Sequence, residues 1–193
     1  MSKRALINID YTYDFVASDG ALTCGEPGQF IEKTITAITN AFIEAKEMTV
    51  FAVDVHDKND SYHPETKLFP PHNIRDTHGR TLYGELKRVY EKNSQEKHVY
   101  YMDKTRYSAF LGTNLESLLR ERGITELHLV GVCTDICVLH TAMDAYNKGF
   151  DIVIYKDAVA SFNEKGHDWA LGHFADALGA TVKEFGGKIN DII

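Results

Sequence analysis

The chain has no excess of basic charge, no long apolar run, four prolines and three cysteines, and each shortage removes a class of protein. Lysine and arginine number 21 against 28 aspartate and glutamate, a formal charge of -7, so there is no footprint for a polyphosphate backbone and nucleic acid is not an expected partner. No stretch approaches the roughly 18 consecutive apolar residues of a membrane span. The opening Met1-Ser2-Lys3-Arg4 leads into an apolar stretch that Asn8 breaks and Asp10 closes, too short and too polar for a secretory signal. A cytoplasmic protein without a membrane partner is the expectation. Cys24, Cys133 and Cys137 are an odd number in a chain of 193 residues and do not make a disulfide framework. Free thiols are therefore the default, and one of them is open to chemical use.

What is present describes a globular unit. Hydrophobic residues make up 44% and aromatic residues 11%, too much apolar surface for a disordered chain, and the length suits one domain spanning residues 1–193. Short apolar runs alternate with amphipathic stretches, the pattern of a parallel sheet with crossover helices. Strands are expected at Ala5–Asp10, Thr49–Val55, His98–Met102, Glu126–Val132, Ile152–Tyr155 and Thr181–Phe185. Several are apolar at successive positions, as strands covered on both faces are. Ile31, Ile35, Ile38, Phe42 and Ala45 form one helical face. Leu115, Leu118 and Leu119 form a second, and further helices are expected from about Asp135 to Lys148 and Glu164 to Leu178. The fold class is thus α/β, three layers around a mostly parallel sheet of about six strands. From His56 to about Gly84 the rhythm stops, and three of the four prolines sit there with His56, His63, His72 and His78. A structureless insertion of that length in a compact domain is usually functional.

Ligands of an open parallel sheet bind outside the carboxyl ends of its strands, which directs attention to Asp10, Asp54 with His56, Lys104 and the Cys133–Cys137 turn. Gly131-Val132-Cys133-Thr134-Asp135-Ile136-Cys137-Val138 runs from a strand into a helix. Cys137 would lie in the first turn of that helix, where the dipole and unpaired amides favour a thiolate and could hold an oxyanion. A buried cysteine is otherwise a small hydrophobe; the strand-to-helix position raises the chemical reading. Asp10 alone reads as a turn residue, and Lys104 alone as a solvated lysine. Together with Cys137 they offer a proton acceptor and a cation for a thiol that has no histidine base. Asp54-Val55-His56 places a carboxylate and an imidazole on one side of a strand end. His72, behind Phe69-Pro70-Pro71, can add a second imidazole, and such a set suits zinc, iron or manganese. Glu65 and His63 are further ligand candidates.

At these residues the sequence resembles the nicotinamidases of the isochorismatase-like cysteine hydrolases. The shared elements are Asp10, Asp14 and Phe15 after the first strand, the D-x-H of Asp54 and His56, the Pro-His at His72, Lys104-x-x-Tyr107-Ser-Ala-Phe110, and Gly131-Val-x-Thr-Asp-x-Cys137-Val. The resemblance implies an Asp10, Lys104 and Cys137 triad in which Cys137 attacks a carboxamide, forms a thioester and releases ammonia. It further implies a cis Val132–Cys133 peptide with the N–H groups of Cys133 and Cys137 as oxyanion hole. Phe15, Phe69 and Tyr107 would sandwich the substrate ring, and Asp54, His56 and His72 would hold one divalent metal ion, zinc first, with iron or manganese as alternatives. Where many relatives have W-P-x-H-C, this chain has Phe69-Pro70-Pro71-His72-Asn73. For the fourth ligand Glu65 is favoured over its rival His63, since a carboxylate also offsets the dication's charge. The implied activity is hydrolysis of nicotinamide to nicotinate in NAD salvage, with pyrazinamide as a surrogate and a dimer or tetramer as the assembly. The alternative within the fold is an amidohydrolase for another small amide or ureido compound.

Overall fold

The computed structural model describes residues 3–187. Among them six strands form one parallel sheet in the order β3-β2-β1-β4-β5-β6, comprising β1 (Lys3–Ile9), β2 (Met48–Asp54), β3 (Val99–Lys104), β4 (Ile124–Val132), β5 (Asp151–Ala160) and β6 (Thr181–Lys183). Two short helices, α1 (Tyr13–Val16) and α2 (Glu26–Phe30), precede α3 (Glu32–Glu44). They are followed by α4 (Gly84–Asn93), α5 (Leu115–Glu121), α6 (Leu139–Asn147) and α7 (Glu164–Asp176).

Strand alternation sorts the apolar residues onto two faces. Leu6, Phe51, Val53, Val130 and Tyr155 pack with Ile35, Ile38 and Phe42 of α3 and with Leu86 of α4. On the opposite face Ile7, Val50, Ala52 and Leu129 meet Leu115 and Leu119 of α5, Ala142 of α6 and Phe174 of α7. All seven residues of β2 are buried, as expected of an inner strand covered on both sides. This is the three-layer α/β architecture expected from the alternating pattern.

The chain winds outward from β1 through β2 to β3, then returns to the other side of β1 with β4 and proceeds to β6. The reversal leaves a crevice beyond the carboxyl ends of β1 and β4, the position at which doubly wound sheets bind ligands. Gly131 sits at that crevice with φ +120°, and a Cβ there would lie 2.0 Å from the carbonyl oxygen of Ile9. Only glycine lets the two strand ends approach so closely.

Three details differ from the sequence pattern. Helix α4 was not expected, because only Leu86 and Val89 of its ten residues are buried and so thin a stripe gives little periodicity. Strand β5 runs past the expected end at Tyr155, through polar Lys156 and Asp157, to Ala160; a register shift against β4 between Leu129 and Gly131 accommodates the change. The helix expected from Asp135 begins instead as one π-helical turn, Thr134–Val138, that continues into α6. The insertion at residues 56–84 is, as expected, mostly irregular, with 3-10 turns at Pro64–Lys67 and His78–Arg80. Among the described residues no helix is long and apolar enough to cross a membrane.

His128 lies within β4, stacked on Tyr155 and edge-on to Phe42, with ring nitrogens 2.9 Å from Tyr155 Oη and Glu126 Oε1. Burial outweighs the hydrogen bond to Glu126 and lowers its pKa from 6.5 to about 4. The unfolded chain therefore takes up a proton between these values that the folded chain refuses. The His128 contribution is full above pH 6.5 and is lost as pH falls toward 4, worth roughly 3 kcal/mol at 1.36 kcal/mol per unit. Urea unfolding midpoints of wild type and His128→Gln, measured from pH 7 to 4.5, should show the steeper acid loss in wild type; parallel profiles would exclude His128 as its source.

Candidate active site

Four strand ends converge on the crevice. Asp10 follows β1 directly, with no exposure and φ +55°, a left-handed conformation that aspartate tolerates better than most side chains. The turn aims its carboxylate across the strand ends: Oδ1 accepts the Asp54 N–H at 2.7 Å and Oδ2 lies 2.7 Å from Lys104 Nζ. Lys104 ends β3, is 1% exposed, and also lies 3.5 Å from Asp54 Oδ1 and 3.7 Å from Cys137 Sγ. One buried ammonium thus touches both carboxylates and the thiol.

The charges follow from these contacts. Burial pushes the Asp10 carboxyl up to about 6, only partly opposed by Lys104. Burial disfavours the Lys104 cation, yet Asp10, Asp54 and Cys137 together hold its pKa well above the usual lysine range. Cys137 corrects the sequence reading. Its thiol is pushed up by burial and by Asp10 and Asp54, against Lys104, so the resting sulfur keeps its proton despite its place in the strand-to-helix turn. Asp10 is within hydrogen-bonding reach of that thiol and is the group placed to accept its proton.

The Val132–Cys133 peptide is cis. The Cys133 carbonyl accepts the N–H groups of Ile136 and Val138 at 3.1 and 3.2 Å, on either side of Cys137. Asp135 ties the turn to the start of α7: its carboxylate accepts the Ser161 hydroxyl at 2.6 Å and the Asn163 amide at 3.2 Å. The Sγ atoms of Cys24 and Cys133 are 3.2 Å apart, and all three cysteines are free thiols.

Beside Cys137 lies a narrow slot that brings together Phe15, Phe69 and Tyr107, and with them Leu22, Ile136 and Phe162, which sequence reasoning missed. Those three come from separate loops and one turn, and no spacing in the sequence links them.

Glu65, which also lines the slot, joins Asp54, His56 and His72 in a buried cluster with one donor atom of each within 4.8 Å of the others. His56 Nε2 is 2.7 Å from Asp54 Oδ2. His72 Nε2 lies 3.6 Å from both Asp54 Oδ2 and Glu65 Oε2, without a hydrogen-bond partner. The other ring nitrogen, Nδ1–H, donates to the Pro70 carbonyl at 2.8 Å, so Nε2 is turned into the cluster, the orientation a metal-binding imidazole needs. Burial opposes charging this ring, but the Asp54 and Glu65 carboxylates that face Nε2 prevail and raise its pKa to about 10, so the metal-free ring carries a proton at Nε2 that a divalent cation would displace. The cluster attracts positive charge, and two imidazoles with two carboxylates fit a divalent cation. Both nitrogens of the rival His63 are engaged elsewhere, Nε2 with the Thr105 carbonyl at 2.7 Å and Nδ1 with the Glu65 N–H at 3.3 Å. Its role is to cap the short turn that presents Glu65. The rings of Phe15 and Phe69 approach His72 at 5.2 and 6.2 Å, so the slot and the cluster share a wall.

A parallel sheet whose switch point gathers an acid, an amine, a thiol and a four-donor cluster defines the class: the isochorismatase domain family matches residues 4–184, and the chain belongs to it. A nicotinamidase/pyrazinamidase of Bacillus subtilis is 65% identical, covering 94% of this chain and 100% of that one at a TM-score of 0.93. The pyrazinamidase/nicotinamidase of Streptococcus mutans is 53% identical over 93% of this chain and 99% of its own, with a TM-score of 0.92. A Pyrococcus horikoshii pyrazinamidase in complex with zinc is 27% identical, covering 95% and 99% at a TM-score of 0.81.

Replacing Glu65 by Ala should weaken Zn2+ binding by more than about tenfold, read by competition with a chromophoric chelator, whereas His63→Gln should cost far less. The reverse order would move the cluster's fourth donor to His63.

Proposed function

We propose that this chain is a nicotinamidase, a single-domain amidohydrolase that converts nicotinamide to nicotinate and ammonia through a thioester on Cys137. The observation that carries the reading is the buried Lys104 ammonium, 2.7 Å from Asp10 and 3.7 Å from Cys137 Sγ, beside an aromatic slot that ends at the four-donor cluster. A flat heteroaromatic amide suits that slot: apolar walls for the ring, and few polar groups to fix its direction. The similarity to nicotinamidases of two genera supports the same substrate.

Asp54, His56, Glu65 and His72 would hold the metal, with zinc as the first choice given the zinc-bound relative. Bound there, it would ligate the pyridine nitrogen and orient the ring. Phe15, Phe69 and Tyr107 hold the faces and edge of that ring. Asp10 takes the Cys137 proton as sulfur attacks the carboxamide carbon, and a carboxyl near pKa 6 both accepts and returns a proton at neutral pH. Lys104 keeps its charge throughout and steadies the carboxylate and the developing thiolate. The N–H groups of Cys133 and Cys137 receive the oxyanion. As the C–N bond breaks, Asp10 returns its proton to the leaving ammonia; water, deprotonated by Asp10, then cleaves the thioester, and Cys137 recovers its proton. The product acid leaves. We assign the enzyme to NAD salvage in the cytoplasm, working as a dimer or tetramer, with pyrazinamide as an alternative substrate.

Ammonia release from nicotinamide should be lost in Cys137→Ala, with near-UV circular dichroism unchanged. It should also fall on chelation and return with Zn2+. Activity retained by Cys137→Ala would remove the thioester route; release from ureido compounds but not from nicotinamide would reassign the substrate.

A further inference from the structure

Asn73 lies where four segments of the site meet. It follows His72, is fully buried, and adopts φ +44°, in the left-handed region that asparagine tolerates better than most non-glycine residues. Its N–H donates to Asp14 Oδ2 at 2.8 Å. Its carbonyl accepts the N–H of His56 at 3.1 Å, and its side-chain Oδ1 accepts the Thr12 hydroxyl at 2.9 Å. Thr12 in turn donates its N–H to the Asp10 carbonyl at 2.8 Å. The side-chain Nδ2 of Asn73 is buried with no hydrogen-bond partner among the described residues, so the Thr12 hydroxyl is the one side-chain tie.

The consequence is geometric. His56 lies two residues beyond the end of β2 and His72 in the irregular insertion, and nothing in their spacing fixes one relative to the other. The short bridge on either side of Ile74 does: the Asn73 carbonyl accepts the His56 N–H and the His56 carbonyl accepts the Arg75 N–H at 2.9 Å, while Asn73, bonded covalently to His72, anchors the bridge to the segment that follows Asp10. A four-donor site with both imidazoles delivered from irregular backbone needs such a tie, since misplacing a ligand costs affinity directly.

We propose that the Asn73 side chain is a positioning group for the metal centre: by accepting the Thr12 hydroxyl it anchors the backbone that links His72 to His56 against the Asp10–Thr12 turn, and so sets how tightly the site binds a divalent cation. This rests on the metal-assisted reading above. It predicts that the side chain acts on metal affinity itself and not only on stability.

The test is Zn2+ titration of chelator-stripped protein in competition with a chromophoric chelator, alongside thermal unfolding of the same metal-free samples. Asn73→Gly keeps both backbone hydrogen bonds and the positive φ and removes only the side chain. It should bind Zn2+ about 10- to 100-fold more weakly, and the Zn2+ concentration for half-maximal ammonia release should rise by the same factor. Thr12→Val, which removes the hydroxyl donor alone, should weaken binding by a smaller factor. The double variant should be no weaker than Asn73→Gly, because both substitutions break the same bond. A folded Asn73→Gly protein with wild-type Zn2+ affinity overturns the proposal, even if it melts earlier. Should Asn73→Gly fail to fold, unchanged affinity in Thr12→Val overturns it equally. A wild-type protein that binds Zn2+ no better than His56→Ala would refute the metal reading itself, an outcome visible before any Asn73 variant is measured.

Discussion

The site is organised around one buried ammonium. Lys104 has almost no contact with water, so its charge is sustained by Asp10 and Asp54, and each carboxylate in turn is sustained by it. Such a cluster adds little net stability, because desolvating three charged groups consumes much of their mutual attraction. Its value is positional: no member can move without leaving another charge buried and unmatched. The same ammonium reaches Cys137 Sγ, so the nucleophile we propose is fitted into a pre-existing charge lattice. Asp54 belongs to both halves, with Oδ1 toward Lys104 and Oδ2 toward His56. The thiol and the four-donor cluster are thereby joined through one carboxylate.

The sheet explains how such a lattice is built. Asp10, Asp54, Lys104 and the Cys133–Cys137 turn follow four adjacent strands, β1, β2, β3 and β4. Parallel strands point all their carboxyl ends the same way, and the reversal of winding between β1 and β4 opens the space above them. Gly131 allows that space to form by letting β4 pass close to the Ile9 carbonyl. The insertion after β2 then folds over the crevice and contributes Glu65, Phe69 and His72. Strand ends carry the acid, the amine and the thiol, while irregular backbone, tied down at Asn73, carries groups that shape the slot.

The structure also alters how the thiol is understood. A cysteine in a strand-to-helix turn suggests a standing thiolate, but a site dominated by two carboxylates repels a second kind of anion, and burial adds to that cost. In the mechanism we propose, the proton is kept until a substrate arrives and Asp10 can receive it. Keeping the resting sulfur neutral also limits its side reactions, since the thiolate is the reactive form.

The sequence by itself determined the layers, the strand ends and the residue types placed at them. Period-two and continuous apolar runs mark β1 to β4, and the i, i+2 spacing of Asp54 and His56 already places both side chains on one side of a strand. These are local properties, set by backbone geometry within a few residues. Tertiary structure alone decided the rest. Helix α4 is held by two buried side chains and leaves almost no periodic trace, and β5 continues through Lys156 and Asp157 because its neighbour shifts register. The choice of Glu65 over His63 depends on a carbonyl at Thr105, 42 residues away, that occupies the His63 ring. The protonation of Cys137 depends on the summed field of Asp10, Asp54 and Lys104, and the register of His56 and His72 on Asn73. Each of these is a sum over neighbours distant in the chain, and no stretch of sequence short enough to show a pattern contains them together.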